Sequence, residues 1–228
     1  MNDVELRGTK LVEVPYFASQ IDRLDKSVLI IGECCGGEGV SETIKEMGFA
    51  DVTTTDIREM SQESNLKRIP GWKHITSDFV KFDETIKYDF IVSVSVFEHF
   101  GFWFIGENIS TGKSDMCHWN HDILGINKAC RLLRDVDSKL MVTLPAGPYM
   151  NYEPSGKPWL RGYDYRRQSI IKNEFKNNGF YIANEKFYFS SDCQDWNEVG
   201  ADINNPENYK SYNPFTPNVI WAFTVKKF

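Results

Sequence analysis

The apolar positions of this chain change period along its length, and the changes mark out its elements. Residues 28–31, Val-Leu-Ile-Ile, form a short continuous apolar run, which suits a strand buried on both faces of a parallel sheet. Val40, Ile44 and Met47 then recur at helical spacing, and Gly48 stands where a helix C-terminus takes a left-handed residue. A second, β-branched run ends at Asp56. Together these predict a β-α-β unit with its ligand crevice at the strand ends. Residues 57–68 are polar and could be a short helix before the Pro70-Gly71 turn, and 72–76 read as a third strand. Residues 88–97 are too apolar to face water on either side, and 139–144 make a fifth strand stopped by Pro145-Ala146-Gly147-Pro148. Ile123, Ile126, Cys130 and Leu133 share one face of a helix with Asn120 as a reasonable N-cap. Ile171 and Phe175 stripe another, which Asn178-Gly179 stop. Residues 180–189 and 218–225 read as the final strands. The first 27 residues, with the apolar cluster VEVPYF at 12–17, form an arm packed on the sheet.

The turn after the first strand narrows what the crevice holds. Gly32, Gly36, Gly37 and Gly39 fit neither the dinucleotide spacing G-x-G-x-x-G nor the phosphate loop G-x-x-x-x-G-K-[ST]. Glu38 stands where the loop would need lysine, and Glu33 adds a second negative charge, so a polyanion would meet repulsion there. Asp56, ending the second strand, is placed to accept hydrogen bonds from ribose hydroxyls. A nucleoside joined to a cationic tail suits this chemistry.

At these residues the chain resembles the class I S-adenosylmethionine-dependent methyltransferases. VLIIGECCGG, TTTD, TSDF and YDFIVSVSVFEHF occur in the family's order over about seventy residues, and the resemblance runs from Val28 to the C-terminus. It implies one α/β domain: a Rossmann-like, doubly wound, seven-stranded, mostly parallel sheet with an antiparallel last strand. It also implies S-adenosylmethionine as cofactor and S-adenosylhomocysteine as product, held by Gly32, Glu33, Gly36, Gly37 and Asp56. Asp78 would then bond the adenine amine while Phe79 or Ile57 covers the ring; a turn cap is the other reading of Asp78. Ser95 and Val96, with Phe97, Glu98 and His99, would lie near the reacting methyl. His99 is otherwise a packing residue and Glu98 a cap. Two positions depart from the family: Ile30 stands for its usual acid, and Cys34 for the middle glycine of its turn.

Residues 101–119 and 190–217 are long, aromatic-rich connections, which we read as walls on the substrate side. His118, His121 and Asp122 fall on one side of a helix's opening turn, the densest cluster of proton acceptors in the chain. They are the candidate general base, with His99 as a further candidate. Trp103, Trp119, Arg161 and Tyr163 are the candidate acceptor-binding residues. Tryptophan and tyrosine beside short polar groups suit a sugar ring, so a sugar or glycan O-methyltransferase leads. A phenolic or natural-product methyltransferase, or a non-catalytic module on the same fold, would use the same parts.

Composition trims the alternatives. A chain of 228 residues suits a single domain. A net charge of −6 gives no footprint for a nucleic-acid backbone, so nucleic acid is not an expected partner. No run approaches the roughly 18 apolar residues of a membrane span, and no leader resembles a signal peptide, so a cytoplasmic location is expected. The five cysteines do not form a disulfide framework. Cys117-His118 with His121 falls short of the four ligands of structural zinc, so no metal is expected.

Overall fold

The computed structural model describes residues 6–32, 39–57, 69–102, 119–147, 151–152, 160–200 and 218–228. Its strands are β1 (Val28–Ile31), β2 (Val52–Asp56), β3 (Lys73–Thr76), β4 (Phe90–Val94), β5 (Lys139–Pro145), β6 (Asn151–Tyr152), β7 (Leu160–Arg161), β8 (Phe180–Phe189), β9 (Asn197–Val199) and β10 (Val219–Lys227). Its α-helices are α1 (Lys10–Gln20), α2 (Val40–Met47), α3 (His121–Arg131) and α4 (Tyr165–Asn177). One eight-stranded sheet has the order β3-β2-β1-β4-β5-β10-β8-β9, and β6 pairs with β7 in a separate two-stranded sheet. β3, β2, β1, β4 and β5 pair in parallel, whereas β10 runs antiparallel to both β5 and β8.

The Rossmann-like, mostly parallel sheet with an antiparallel last strand is as expected, with two differences. Among the described residues the sheet has eight strands rather than seven, because β9, inside the expected loop 190–217, pairs Val199 with Phe187 at the sheet edge. β4 stops at Val94, short of residue 97, because Ser95 takes a left-handed φ of 51° that no strand continues. Only Ile57 of the expected helix at 57–68 lies among the described residues, and it is in a bend.

Successive residues of β1 feed opposite cores, as strand geometry requires. Leu29 and Ile31 join Ile91, Ile126, Phe175 and Trp221 beneath α3 and α4. Val28 and Ile30 join Val14, Phe17, Ile44 and Val92 beneath α1 and α2. The N-terminal arm is thus helix α1 packed on the sheet, pinned to β10 by a 3.0 Å bond between Tyr16 Oη and Thr224 Oγ1. Asp89, the acid of the YDF word, is structural: it accepts from the Ser27 amide at 2.9 Å and the Ser27 hydroxyl at 2.8 Å, tying the starts of β4 and β1 together. α4 begins at Asp164, whose extended backbone and 2.8 Å acceptance from the Arg167 amide make an N-cap.

Candidate active site at the carboxyl ends of the strands

The strand order reverses between β1 and β4: β1 leads outward to β2 and β3, β4 to β5. Such a switch point opens a crevice above the carboxyl ends of the strands. Gly32 ends β1 with φ of 84°, and its amide donates to the Thr55 carbonyl at 2.8 Å. A Cβ at Gly32 would lie 2.4–2.5 Å from the methyls of Val96, so glycine is what lets the ends of β1 and β4 close on each other. Asp56 ends β2, is 6 % exposed, and its carbonyl accepts from the Ser77 amide at 2.8 Å. Ile57 follows, half-buried.

Asp78 caps a 3₁₀ turn over Phe79–Lys81, accepting from the Val80 amide at 3.2 Å and pairing with Lys81 at 3.4 Å. Phe79 is 4 % exposed and packs among Phe82, Phe97 and Phe100. Its ring thus joins an aromatic group of the core beside Asp78.

Ser95 brings an acid from the arm to the tip of β4. Its hydroxyl donates to Glu13 Oε1, Thr143 Oγ1 donates to the same oxygen at 2.7 Å, and Lys10 Nζ lies 2.9 Å from Oε2. Burial alone would raise the Glu13 carboxyl, but Lys10 and the two hydroxyls more than offset it and hold it below the usual carboxylate range. Sequence reasoning missed Glu13, although an acid inside the apolar cluster VEVPYF is a signal of a buried charge with a partner elsewhere.

The turn Phe97–His99 follows Val96 and carries a second buried acid. Glu98 is 3 % exposed, and among the described residues its Oε2 has no hydrogen-bond partner. Burial, with Glu13 adding like charge, pushes this carboxyl up to about 8, so near neutral pH it carries a proton. His99 is half-buried at the end of the turn, its amide donating to the Val96 carbonyl at 3.0 Å.

Asp122, Arg161 and Tyr163 come together in a buried cluster. Asp122 is fully enclosed and accepts from Tyr163 Oη at 2.9 Å and from Arg167 Nε and Nη2 at 2.9 and 2.5 Å, while Arg161 Nη1 lies 3.2 Å away. Arg167 Nη2 also donates to the Trp119 carbonyl. Two guanidiniums and a phenol thus meet the oxygens of Asp122, the acid expected as a candidate base, and tie the start of α3 to α4. Burial and the Asp122 charge raise the Tyr163 phenol well above its ordinary value, so it is a neutral donor. It is enclosed too, beside Arg161 in the same cluster. Arg167 was the missing member; only the tertiary fold brings it to Asp122.

His121 is the first residue of α3 and half-buried, and Trp119 is 47 % exposed, its ring edge-on to Phe102 at 6.4 Å. Glu33, Gly36, Gly37, Trp103 and His118 lie outside the described residues. Among the described residues no three side chains form a group suited to a metal ion, and no helix is long and apolar enough to cross a membrane.

No protein-family model matches the chain, and no curated protein matches it either. Solved structures do. Coclaurine N-methyltransferase bound to N-methylheliamine and S-adenosylhomocysteine superposes with a TM-score of 0.60 at 13% identity, over 93% of this chain and 69% of that one. An S-adenosylmethionine-dependent methyltransferase from Listeria monocytogenes, so described provisionally, gives 0.57 at 11% identity over 95% and 98% of the two chains. The 1,6-didemethyltoxoflavin-N1-methyltransferase of Burkholderia thailandensis, with 1,6-didemethyltoxoflavin and S-adenosylhomocysteine bound, gives 0.56 at 12% identity over 89% and 72%. With its strand order and switch point, the chain has the fold of the class I S-adenosylmethionine-dependent methyltransferases.

Proposed function

We propose that this chain is an S-adenosylmethionine-dependent methyltransferase whose acceptor is a hydroxyl of a sugar or glycan. The observation that carries the cofactor reading is the closure of β1 on β4 through Gly32 and Val96, with Asp56 at the neighbouring tip of β2. Four of the similar structures hold S-adenosylhomocysteine, which supports the same ligand here. Gly32, Asp56, Ile57, Asp78, Ser95 and Val96 would line its site, with Glu33, Gly36 and Gly37 contributing from the turn.

In such a transfer the acceptor oxygen attacks the sulfonium methyl in line, the S–C bond breaks as the O–C bond forms, and the hydroxyl proton must leave. An alcohol stays protonated at neutral pH, so a base near the β4 tip assists. Glu98 and His99 stand on the turn that follows β4, and His121 opens α3. Glu98, with its carboxyl pushed up to about 8, is the best matched in proton affinity. The sugar preference rests on the mixture of tryptophan, tyrosine and short polar residues in 101–119 and 190–217. An amine acceptor is the second reading, favoured by the N-methyltransferases among the similar structures.

Calorimetry tests the cofactor: S-adenosylmethionine should give saturable heat, and Asp56→Ala should weaken it at least tenfold. No heat with the wild type would leave a non-catalytic module. A screen of sugars, phenols and amines with methyl-labelled cofactor tests the acceptor, and label on amines alone would replace the hydroxyl assignment.

A further inference from the structure

Arg161 presents an unusual division of its guanidinium. The side chain is fully enclosed. Nη1 is engaged, lying 3.2 Å from Asp122 Oδ1 and donating to the Phe97 carbonyl at 3.4 Å. The guanidinium plane rests on the Phe102 ring, with Cζ 4.1 Å from its centroid. Nε and Nη2, by contrast, are buried and have no hydrogen-bond partner among the described residues. These two nitrogens are not a random pair. They form one edge of the planar guanidinium, from which two nearly parallel N–H bonds project, the geometry that meets both oxygens of a carboxylate.

We propose that the Nε/Nη2 edge of Arg161 is the receptor for a carboxylate carried by the methyl acceptor. The inference deepens the proposed function and rests on it for the acceptor's role in the reaction; the carboxylate site itself stands on Arg161 alone. Two buried N–H groups without acceptors cost free energy in the folded chain, and a bidentate carboxylate returns it. Phe102 and Asp122 fix the guanidinium from its face and its far corner, so little rotamer freedom is lost on binding. A planar monoanion matches one planar cationic edge in an enclosed site; a tetrahedral dianion would bring a second charge with no partner. Glu98, adjacent in sequence to the carbonyl that Arg161 holds, is compatible with the assignment: burial pushes its carboxyl up to about 8, so near neutrality it adds no negative charge against an incoming anion. The position also fits: Phe97 to His99 follow the β4 tip directly, and Arg161 Nη1 holds the Phe97 carbonyl of that turn.

Calorimetry on the full chain, with and without S-adenosylhomocysteine, tests this with D-glucuronate, D-galacturonate and 4-hydroxybenzoate, the methyl ester of each, and inorganic phosphate. At least one acid should saturate, and bind at least tenfold tighter than its ester and than phosphate. Arg161→Lys keeps a cation beside Asp122 but lacks the paired edge, and should weaken that acid at least tenfold. Its far-ultraviolet circular dichroism and melting temperature report whether it folds, and the acid-to-ester ratio of the wild type stands without it. Acids and esters binding alike, no acid binding, phosphate binding as tightly, or a folded lysine variant that keeps the acid preference would each overturn the proposal. So would a lysine variant that loses S-adenosylhomocysteine tenfold but keeps 5′-methylthioadenosine, since the edge would then serve the cofactor's own carboxylate. Acid binding in a chain that does not bind S-adenosylmethionine would remove methyl transfer while leaving the carboxylate site in place.

Discussion

Glu98 and Glu13 lie close enough to influence each other, yet their surroundings drive them in opposite directions, and pH separates them. The Glu98 carboxyl sits at about 8 in the folded chain against an ordinary 4.5, so the folded state holds its proton more tightly than the unfolded one. Its contribution to stability is complete below about 4.5 and is lost as pH rises through about 8. Glu98→Gln should therefore gain on the wild type between pH 5 and pH 9, by on the order of 2 kcal/mol in urea unfolding. If Glu98 is the base, the same variant also removes an ascending limb near pH 8 from kcat/KM. Glu13 is the reverse: its folded value lies below 4.5, so its contribution is present above that value and lost as pH falls through the folded one. Glu13→Gln should cost about 2 kcal/mol at pH 7 and less at pH 3, since Lys10, Ser95 and Thr143 all lose a charged partner. Neither behaviour was legible in the sequence. Glu98 was placed near the crevice by the YDFIVSVSVFEHF word, but its burial beside Glu13 is a property of packing.

At the scale of elements, local chemistry and close approach set the boundaries. Gly32→Ala combines a φ of 84° with a Cβ 2.4 Å from Val96, and should destabilise the chain by about 3 kcal/mol and weaken S-adenosylmethionine binding; a crystal structure would show β1 and β4 parted. Asp164→Ala removes the cap of α4 and should cost about 1 kcal/mol in thermal unfolding, with little effect on cofactor affinity. The buried strands were readable because apolar runs of four or five residues have few other homes. α4 was readable because Ile171 and Phe175 stripe it and Asn178-Gly179 close it. β9 was not, because Asn197-Glu198-Val199 is three residues long and polar, and becomes a strand only by borrowing the ladder of β8. The early end of β4 was hidden for a related reason: nothing in Ser95 itself demands a left-handed backbone.

Across the whole molecule, the Asp122 cluster joins α3, α4 and the β6–β7 hairpin at one carboxylate. Asp122→Asn leaves Arg161 without a carboxylate contact among the described residues and weakens the hold on Arg167, and should lower the melting temperature by roughly 10 °C, for a cost of about 3–5 kcal/mol. Read in isolation, Asp122 looked like a first-turn acid beside two histidines, because sequence neighbours are visible and Arg161, Tyr163 and Arg167, some forty residues on, are not. The sequence by itself determined the parallel core, the helices over it and the acid at the tip of β2, since periodicity and turn residues are local and each element carries its own signal. Only the tertiary structure decided which charged groups are paired, protonated or unsatisfied, because those properties depend on burial and on partners that arrive from distant parts of the chain.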